Sequence, residues 1–248
     1  MTISPAIVIF GDIEVYMYTS DKQIANGIFR LTLAPKPHFE FSQFLILDEK
    51  SCLVHAGKEV LFESLKEMVQ KKLDGKKLDY IVFSHVEADE SGAVNKWLEV
   101  YPEAKVVCNK VANINLEDFL IRPAQVLKDG ETLALGANSL QLINTPHVPH
   151  NWDAHMWFET TNSILFSSDF CCQGGNCNPV VENDISPSII DFYVKGGFMP
   201  YGKTTNDTVK RLADLPIQAI APMHGSVIVG NICKTILKTV ADDLRQRS

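Results

Sequence analysis

The segment Ser84-His85-Val86-Glu87-Ala88-Asp89-Glu90-Ser91-Gly92 carries an imidazole and two carboxylates at alternate positions, directly after the apolar run Tyr80–Phe83. In an extended backbone residues i, i+2 and i+4 project to one side, so His85, Glu87 and Asp89 can converge on a cation. Mixed nitrogen and oxygen donors suit iron, manganese or zinc rather than a calcium-only site. The plainer alternative is a solvated acidic loop before a helix capped at Ser91, because acids near a helix N-terminus are favourable in their own right. Three further segments weigh against it. Thr145–His150 ends a strand with two histidines, Leu165–Asp169 is an apolar run ending in a carboxylate, and Ala219–His224 is another ending in a histidine. A single histidine after a strand is more often a hydrogen-bonded structural residue. Four such endings in one chain are hard to attribute to chance.

The elements that must hold these endings read as alternating strands and helices. Phe44–Leu47 and Cys52–His55 are apolar runs around Asp48-Glu49-Lys50, the pattern of a hairpin. Lys58–Leu73 carries Leu61, Leu65, Met68 and Val69 at helical spacing and stops at Asp74-Gly75. Tyr80–Phe83 reads as a short strand. A helix is expected from Ser91 to Tyr101, ending before Pro102, with Val106–Cys108 as the next strand. Glu131–Leu135 and Ser139–Asn144 flank Gly136 as a second hairpin, and His155–Glu159 with Ile164–Ser167 form a third pair. Helices are expected near Thr204–Leu212 and Asn231–Arg245, with strand Ala219–Pro222 between them. Two runs of strands followed by helices imply an α/β protein with two sheets packed face to face and helices outside. With no internal repeat and no Pro/Gly/Ser-rich linker, residues 1–248 are expected to form one domain.

Composition narrows the function classes. The chain has 248 residues with 46% hydrophobic content, enough for a sizeable core, and a formal net charge of −7. It has no Lys/Arg-rich run, so nucleic acid is not an expected partner. No window approaches the roughly 18 apolar residues of a membrane span. No signal-peptide pattern opens the sequence, and a cytoplasmic location is expected. Six irregularly spaced cysteines, at positions 52, 108, 171, 172, 177 and 233, lack the density of a disulfide scaffold. Cys171 and Cys172 follow Asp169 directly; they read either as thiols near a metal or as small residues packed under Gly174-Gly175.

Taken together, these segments resemble the metallo-β-lactamase superfamily, whose fold is an αββα sandwich. Within it they resemble the diiron branch of flavodiiron proteins, with motif H-x-E-x-D-H followed by His, Asp and His. The zinc hydrolases of the superfamily carry H-x-H-x-D-H, and Glu87 gives the diiron form. The resemblance covers nearly the whole chain. It implies that His85, Glu87 and His150 bind one iron, that Asp89 and His224 bind a second, and that Asp169 bridges them. His150 is preferred to His147 by its spacing to Asp169 and because Trp152 and Asp153 follow it, resembling the family's H-W-P-D. The family motif closes on a second histidine, and this chain has Glu90 there. Glu90 joins the candidate ligands, or else it turns away and leaves the second iron an open position; either outcome makes the two irons unequal. Of the others, His38 is given no role, His55 lies in an apolar strand and reads as structural, and His147 and His155 read as satisfied surface or core residues or as donors that orient ligands.

The resemblance also bears on function. In flavodiiron proteins a flavodoxin-like domain carries the FMN that feeds the metals, and no such domain or flavin phosphate loop is expected before the end at Ser248. The chain therefore looks like the stand-alone oxygen-binding diiron proteins of the family, O₂ or iron sensors associated with bacterial chemotaxis, with dioxygen as ligand and a signalling protein as partner. The second reading is an O₂ or NO reductase served by an external electron donor. The third, a metal-dependent hydrolase, is disfavoured by Glu87. Relatives pair head to tail to bring a flavin to the metals; without a flavin that reason falls away, and a homodimer is left as one alternative.

Overall fold

Phe41 and Leu45 are buried along one strand, and so are the alternating Phe44 and Ile46. A strand apolar on both faces must be covered on both. The computed structural model, which describes residues 4–10, 13–36, 39–175 and 177–248, shows what covers them. Among the described residues the strands form sheets of eight and seven. The first runs in chain order: β1 (Ser4–Phe10), β2 (Ile13–Ala25), β3 (Ile28–Lys36), β4 (Phe39–Ile46), β5 (Cys52–Val54), β6 (Tyr80–Val82), β7 (Lys105–Asn109) and β8 (Gln125–Leu127). It is antiparallel through β5 and parallel from β5 to β8. The second holds β9 (Thr132–Ala134), β10 (Ser139–Asn144), β11 (His155–Glu159), β12 (Ile164–Ser168), β13 (Val180–Val181), β14 (Ala219–Pro222) and β15 (Val227–Val229), in the order β13-β15-β14-β12-β11-β10-β9.

Three apolar layers follow from the strand period. Between the sheets, Phe44, Ile46, Val54, Val82 and Val107 meet Leu140, Leu142, Trp157, Phe166 and Ala221. Outside the first sheet, Phe41, Leu45, Leu53 and Ile81 pack on helices α1 (Phe62–Leu73), α2 (Val94–Val100) and α3 (Lys110–Leu116). Outside the second, Leu165 and Ile220 pack with α4 (Ser186–Gly196), α5 (Lys203–Ala213) and α6 (Ile232–Arg247). Helix α1 shows how the sequence writes this. Phe62, Leu65, Val69 and Leu73 fall on one face and are buried, and Asp74 closes the helix at a left-handed φ of 48°. Each such side chain contributes about 1.5–3 kcal/mol when buried. The αββα layering agrees with the fold class read from the sequence. Among the described residues no helix is long and apolar enough to cross a membrane.

Two expectations change. Helix α2 begins at Val94, not Ser91, and its N-cap position, Ala93, makes no side-chain bond. The preceding turns are committed elsewhere: Ala56 N–H donates to the Glu90 carbonyl at 2.6 Å, Ala93 N–H to Gly57 at 2.9 Å, and Ser91 Oγ to the Glu87 carbonyl at 3.0 Å. Helix α4 was not anticipated, because Ile189, Ile190, Phe192, Tyr193 and Val194 are also strand formers. Pro187 in its first turn supplies the pre-set φ that a helix start accepts.

Candidate metal centre

Strands β10 and β12 both pair antiparallel with β11, and β12 pairs parallel with β14, so all three run the same way. Their C-terminal ends share one edge of the second sheet, where the chain leaves towards His150, Asp169 and His224. The end of β6 in the facing sheet is tied to that edge. Trp157 Nε1 donates to the Phe83 carbonyl at 2.8 Å, His155 N–H to the Ser84 carbonyl at 2.8 Å, and Val86 N–H to the Asp153 carboxylate at 2.7 Å. Close packing fixes the ligand loop as well: a Cβ on Gly92 would lie 2.3 Å from the Ala88 carbonyl oxygen. The register between β12 and β14 shifts after Phe166, and Ser168 takes a φ of +57°. Left-handed backbone in a non-glycine residue is uncommon and gathers at functional sites.

Ligand atoms from His85, Glu87, His150 and Asp169 all lie within 4.8 Å of one another. His85 Nε2 is 2.6 Å from Glu87 Oε2, and His150 Nε2 is 3.1 Å from Asp169 Oδ2 and 3.5 Å from Glu87 Oε2. The other Asp169 oxygen faces a second set: Oδ1 is 3.4 Å from His224 Nε2, which is 3.5 Å from Asp89 Oδ2. Asp89 Oδ1 is buried without a hydrogen-bond partner. Buried polar atoms are rarely left so, and this one fits a group placed for a cation. The two nitrogen–oxygen donor sets share one carboxylate, an arrangement that can hold neighbouring cations. The structure thus brings together His85, Glu87, Asp89, His150, Asp169 and His224.

Glu90 is the expected ligand that the fold does not bring to them. It is fully buried, with Oε2 accepting from the Ser84 and His85 backbone N–H groups at 2.7 and 3.0 Å and Oε1 from Ser168 Oγ at 2.5 Å. It lies on the Nδ1 side of His85, away from the Nε2 that faces the cluster. The outcome in which Glu90 turns away is the one this geometry fits.

The charges are mutually set. Burial alone would push the His85 imidazole down, but the Glu90, Glu87 and Asp169 carboxylates outweigh it and raise it to about 10. Burial would raise the Asp169 carboxyl, yet the hydrogen bond from His150 and the nearby His224 and His85 take it down to about 2. His150 and His224 are likewise raised against their burial, by Asp169 and by Asp89 respectively. Those protons are what a cation would displace. His224 is oriented from behind: its Nδ1 lies 2.7 Å from the Glu40 carbonyl, which can only accept, so Nδ1 carries the proton and Nε2 is left for the cluster. The buried Arg30 holds this corner, donating to Glu40 Oε1 at 2.6 Å, to the Gly225 carbonyl at 2.7 Å and to Ser42 Oγ at 3.0 Å.

Phenylalanines line the rim. Phe39, Phe41 and Phe192 have ring centroids 4.5, 5.3 and 6.4 Å from His224, and Phe198 is 5.7 Å from His150. They come from β4, α4 and the loop after it, and sequence reading did not find them. His147 is exposed, in contrast to His150. His55 and His155 are fully buried outside the ligand set, and His38 lies outside the described residues. Cys171 and Cys172 are both buried, and Cys172 Sγ is 3.7 Å from Asp169 Oδ1 and accepts the His224 backbone N–H at 3.3 Å. Burial pushes the Cys172 thiol well up, with Asp169 adding to it, so it stays protonated.

An αββα sandwich with this donor set at one edge is a metallo-β-lactamase-type domain. Residues 39–225 match the family described as ODP family beta lactamase, and the chain belongs to that family. An uncharacterized protein of Methanocaldococcus jannaschii is 30% identical over 200 residues, covering 75% of this chain and 49% of that protein. A nitric oxide reductase of Moorella thermoacetica is 27% identical over 200 residues, with 75% and 49% covered. The chain spans about half the length of these relatives. Among solved structures, a metal-soaked flavodiiron core from Synechocystis superposes with a TM-score of 0.80 at 20% identity, over 92% of this chain and 61% of that one. The rubredoxin oxygen:oxidoreductase of Desulfovibrio gigas gives 0.74 at 21% identity, over 92% and 62%. At these identities the likeness is one of fold.

Proposed function

We propose that the cluster holds two non-haem iron ions and that the chain binds a small apolar gas, dioxygen or nitric oxide, and reduces it with electrons from a separate redox partner. The observation that carries this reading is Asp169, whose two oxygens serve two donor sets at once. His85, Glu87, His150 and Asp169 would hold one iron, and Asp89, His224 and Asp169 the other. A donor set of imidazoles and carboxylates suits iron better than a thiolate-rich set, which structural zinc favours. A ferrous pair supplies two electrons, whereas reducing dioxygen to water takes four, so turnover needs an external donor.

The chain's own residues supply position and exclusion. The loop ties at Asp153, Phe83 and Ser84 hold the donors in place, and the phenylalanine rim presents aromatic carbon to whatever approaches. The relative named as a nitric oxide reductase and the neighbour named as an oxygen oxidoreductase support the same reading. An oxygen-sensing role in bacterial signalling, including chemotaxis, shares the binding step and is the second reading. The observation that favours it is the three-donor second set, since Glu90 turns away from it.

The test is to load the full chain anaerobically with Fe(II) and add dioxygen or nitric oxide, with and without reduced rubredoxin or flavodoxin. Sustained gas consumption that depends on the donor protein is expected. A stable coloured adduct without turnover favours the sensor. Thioester or phosphodiester cleavage by the zinc form, with no response to either gas, overturns both.

A further inference from the structure

We propose that Glu90 is a positioning residue for the first donor set, acting on His85 through the Ser168 hydroxyl. The inference rests on the reading that the cluster holds cations. It gives position 90 a role different from the ligand that the motif would place there.

The hydrogen bonds can be assigned proton by proton. Glu90 Oε2 faces two backbone N–H groups, Ser84 at 2.7 Å and His85 at 3.0 Å, whose protons cannot move. Oε1 lies 2.5 Å from Ser168 Oγ. Glu90 accepts from both of those N–H groups, and the Ser168 hydroxyl is its third donor. That leaves the Ser168 oxygen with lone pairs, and His85 Nδ1 stands 3.0 Å from it. Nδ1 must therefore be the donor. With Nδ1 committed there, Nε2 is the nitrogen that faces the cluster, where Glu87 Oε2 is 2.6 Å and Asp169 Oδ2 is 3.9 Å away, and its proton is the one a cation would displace. His85, Ser168 and Glu90 are all fully buried, so no solvent water competes for these bonds. Outer partners of this kind fix the ring orientation and tautomer of a ligating histidine, and removing them costs about 10–100-fold in metal affinity.

The assignment makes an unusual prediction for Glu90→Gln. The two backbone N–H groups hold the new amide oxygen against themselves, which turns the amide NH₂ towards Ser168. The Ser168 oxygen then faces two N–H donors while its own proton has lost its acceptor. If that proton goes to His85 Nδ1 instead, the imidazole proton moves to Nε2 and the donor is lost. Either way the Ser168 hydroxyl becomes harmful, so Ser168→Ala should partly rescue Glu90→Gln.

The experiment titrates the metal-free full chain with Co(II) alone and reads two stepwise affinities for wild type, Glu90→Gln, Ser168→Ala and the double variant, with thermal melts alongside. The tighter step is assigned to the four-donor set. Glu90→Gln should weaken that step about 10–100-fold. The weaker step should fall by a smaller factor, coupled to the first only through the shared Asp169. The double variant should bind more tightly than Glu90→Gln. Loss confined to the weaker step would make Glu90 a second-site ligand and overturn the proposal, as would no loss at all or simple additivity in the double variant. Should Glu90→Gln fail to fold, proton–nitrogen NMR of the Zn(II)-loaded chain decides: the His85 Nδ1–H signal should shift in Ser168→Ala, and an unmoved signal overturns the proposal. A wild-type chain that binds no cation would sink the metal reading itself, a distinct result from cation binding that ignores these variants.

Discussion

His155 should make the protein acid-labile in a way that one substitution removes. Its ring is fully buried, with Phe83 and Trp157 at centroid distances of 6.0 and 5.7 Å. Burial, helped by the His85 and His55 imidazoles and opposed by the Asp153 carbonyl, lowers its pKa from 6.5 to about 4. Between those two values the unfolded chain binds the proton and the folded chain does not, so stability falls as pH drops from 6.5 towards 4. A gap of that size corresponds to about 3 kcal/mol, a large share of the ordinary stability of a domain. His85, His150 and His224 are raised instead, and their contribution is lost as pH rises, with the opposite sign. The comparison must therefore be between wild type and His155→Gln, metal-free, in urea at several pH values from 7 to 4.5. The glutamine will cost packing at every pH, so only the slope matters. The stability difference should shift in the variant's favour by roughly 2 kcal/mol over that range. Parallel curves would refute the argument. Because the His155 backbone N–H holds the Ser84 carbonyl, acid loosening there reaches the loop that carries His85, Glu87 and Asp89.

Further predictions concern the shared carboxylate and the ligand loop. Asp169→Asn should reduce bound iron to at most one ion per chain while the far-ultraviolet circular dichroism is unchanged; two ions retained would show that Asp169 bridges nothing. Gly92→Ala places a methyl 2.3 Å from the Ala88 carbonyl oxygen, which is backbone and cannot swing aside. It should cost about 2–3 kcal/mol in urea unfolding, and a change under about 0.5 kcal/mol would mean that the loop relaxes freely.

The candidate ligands could be picked out because each follows an apolar strand, and strand ends are where a sandwich presents side chains at an edge. His85, Glu87 and Asp89 share one segment, while His150, Asp169 and His224 close three others, and the common direction of β10, β12 and β14 makes those closings meet. Glu90 was ambiguous for a physical reason. A carboxylate can ligate a cation or accept hydrogen bonds, and what decides between them is Ser168, which lies 78 residues further along the chain. Its left-handed φ has no signature in a residue type that turns and strands share. The phenylalanine rim and the Arg30–Glu40 brace behind His224 join residues from separate elements, and no local pattern announces either. Helix α4 was hidden because its apolar residues favour strands as readily as helices. The expected helix start at Ser91 failed because that backbone is already bonded across to the β5 end.

Iron content after anaerobic loading, with the Mössbauer spectrum of the same sample, tests the central claim most directly. Two irons per chain in two distinct environments of equal population are predicted, one for each side of Asp169. A chain that retains no iron, or holds a single ion in one environment, would contradict it.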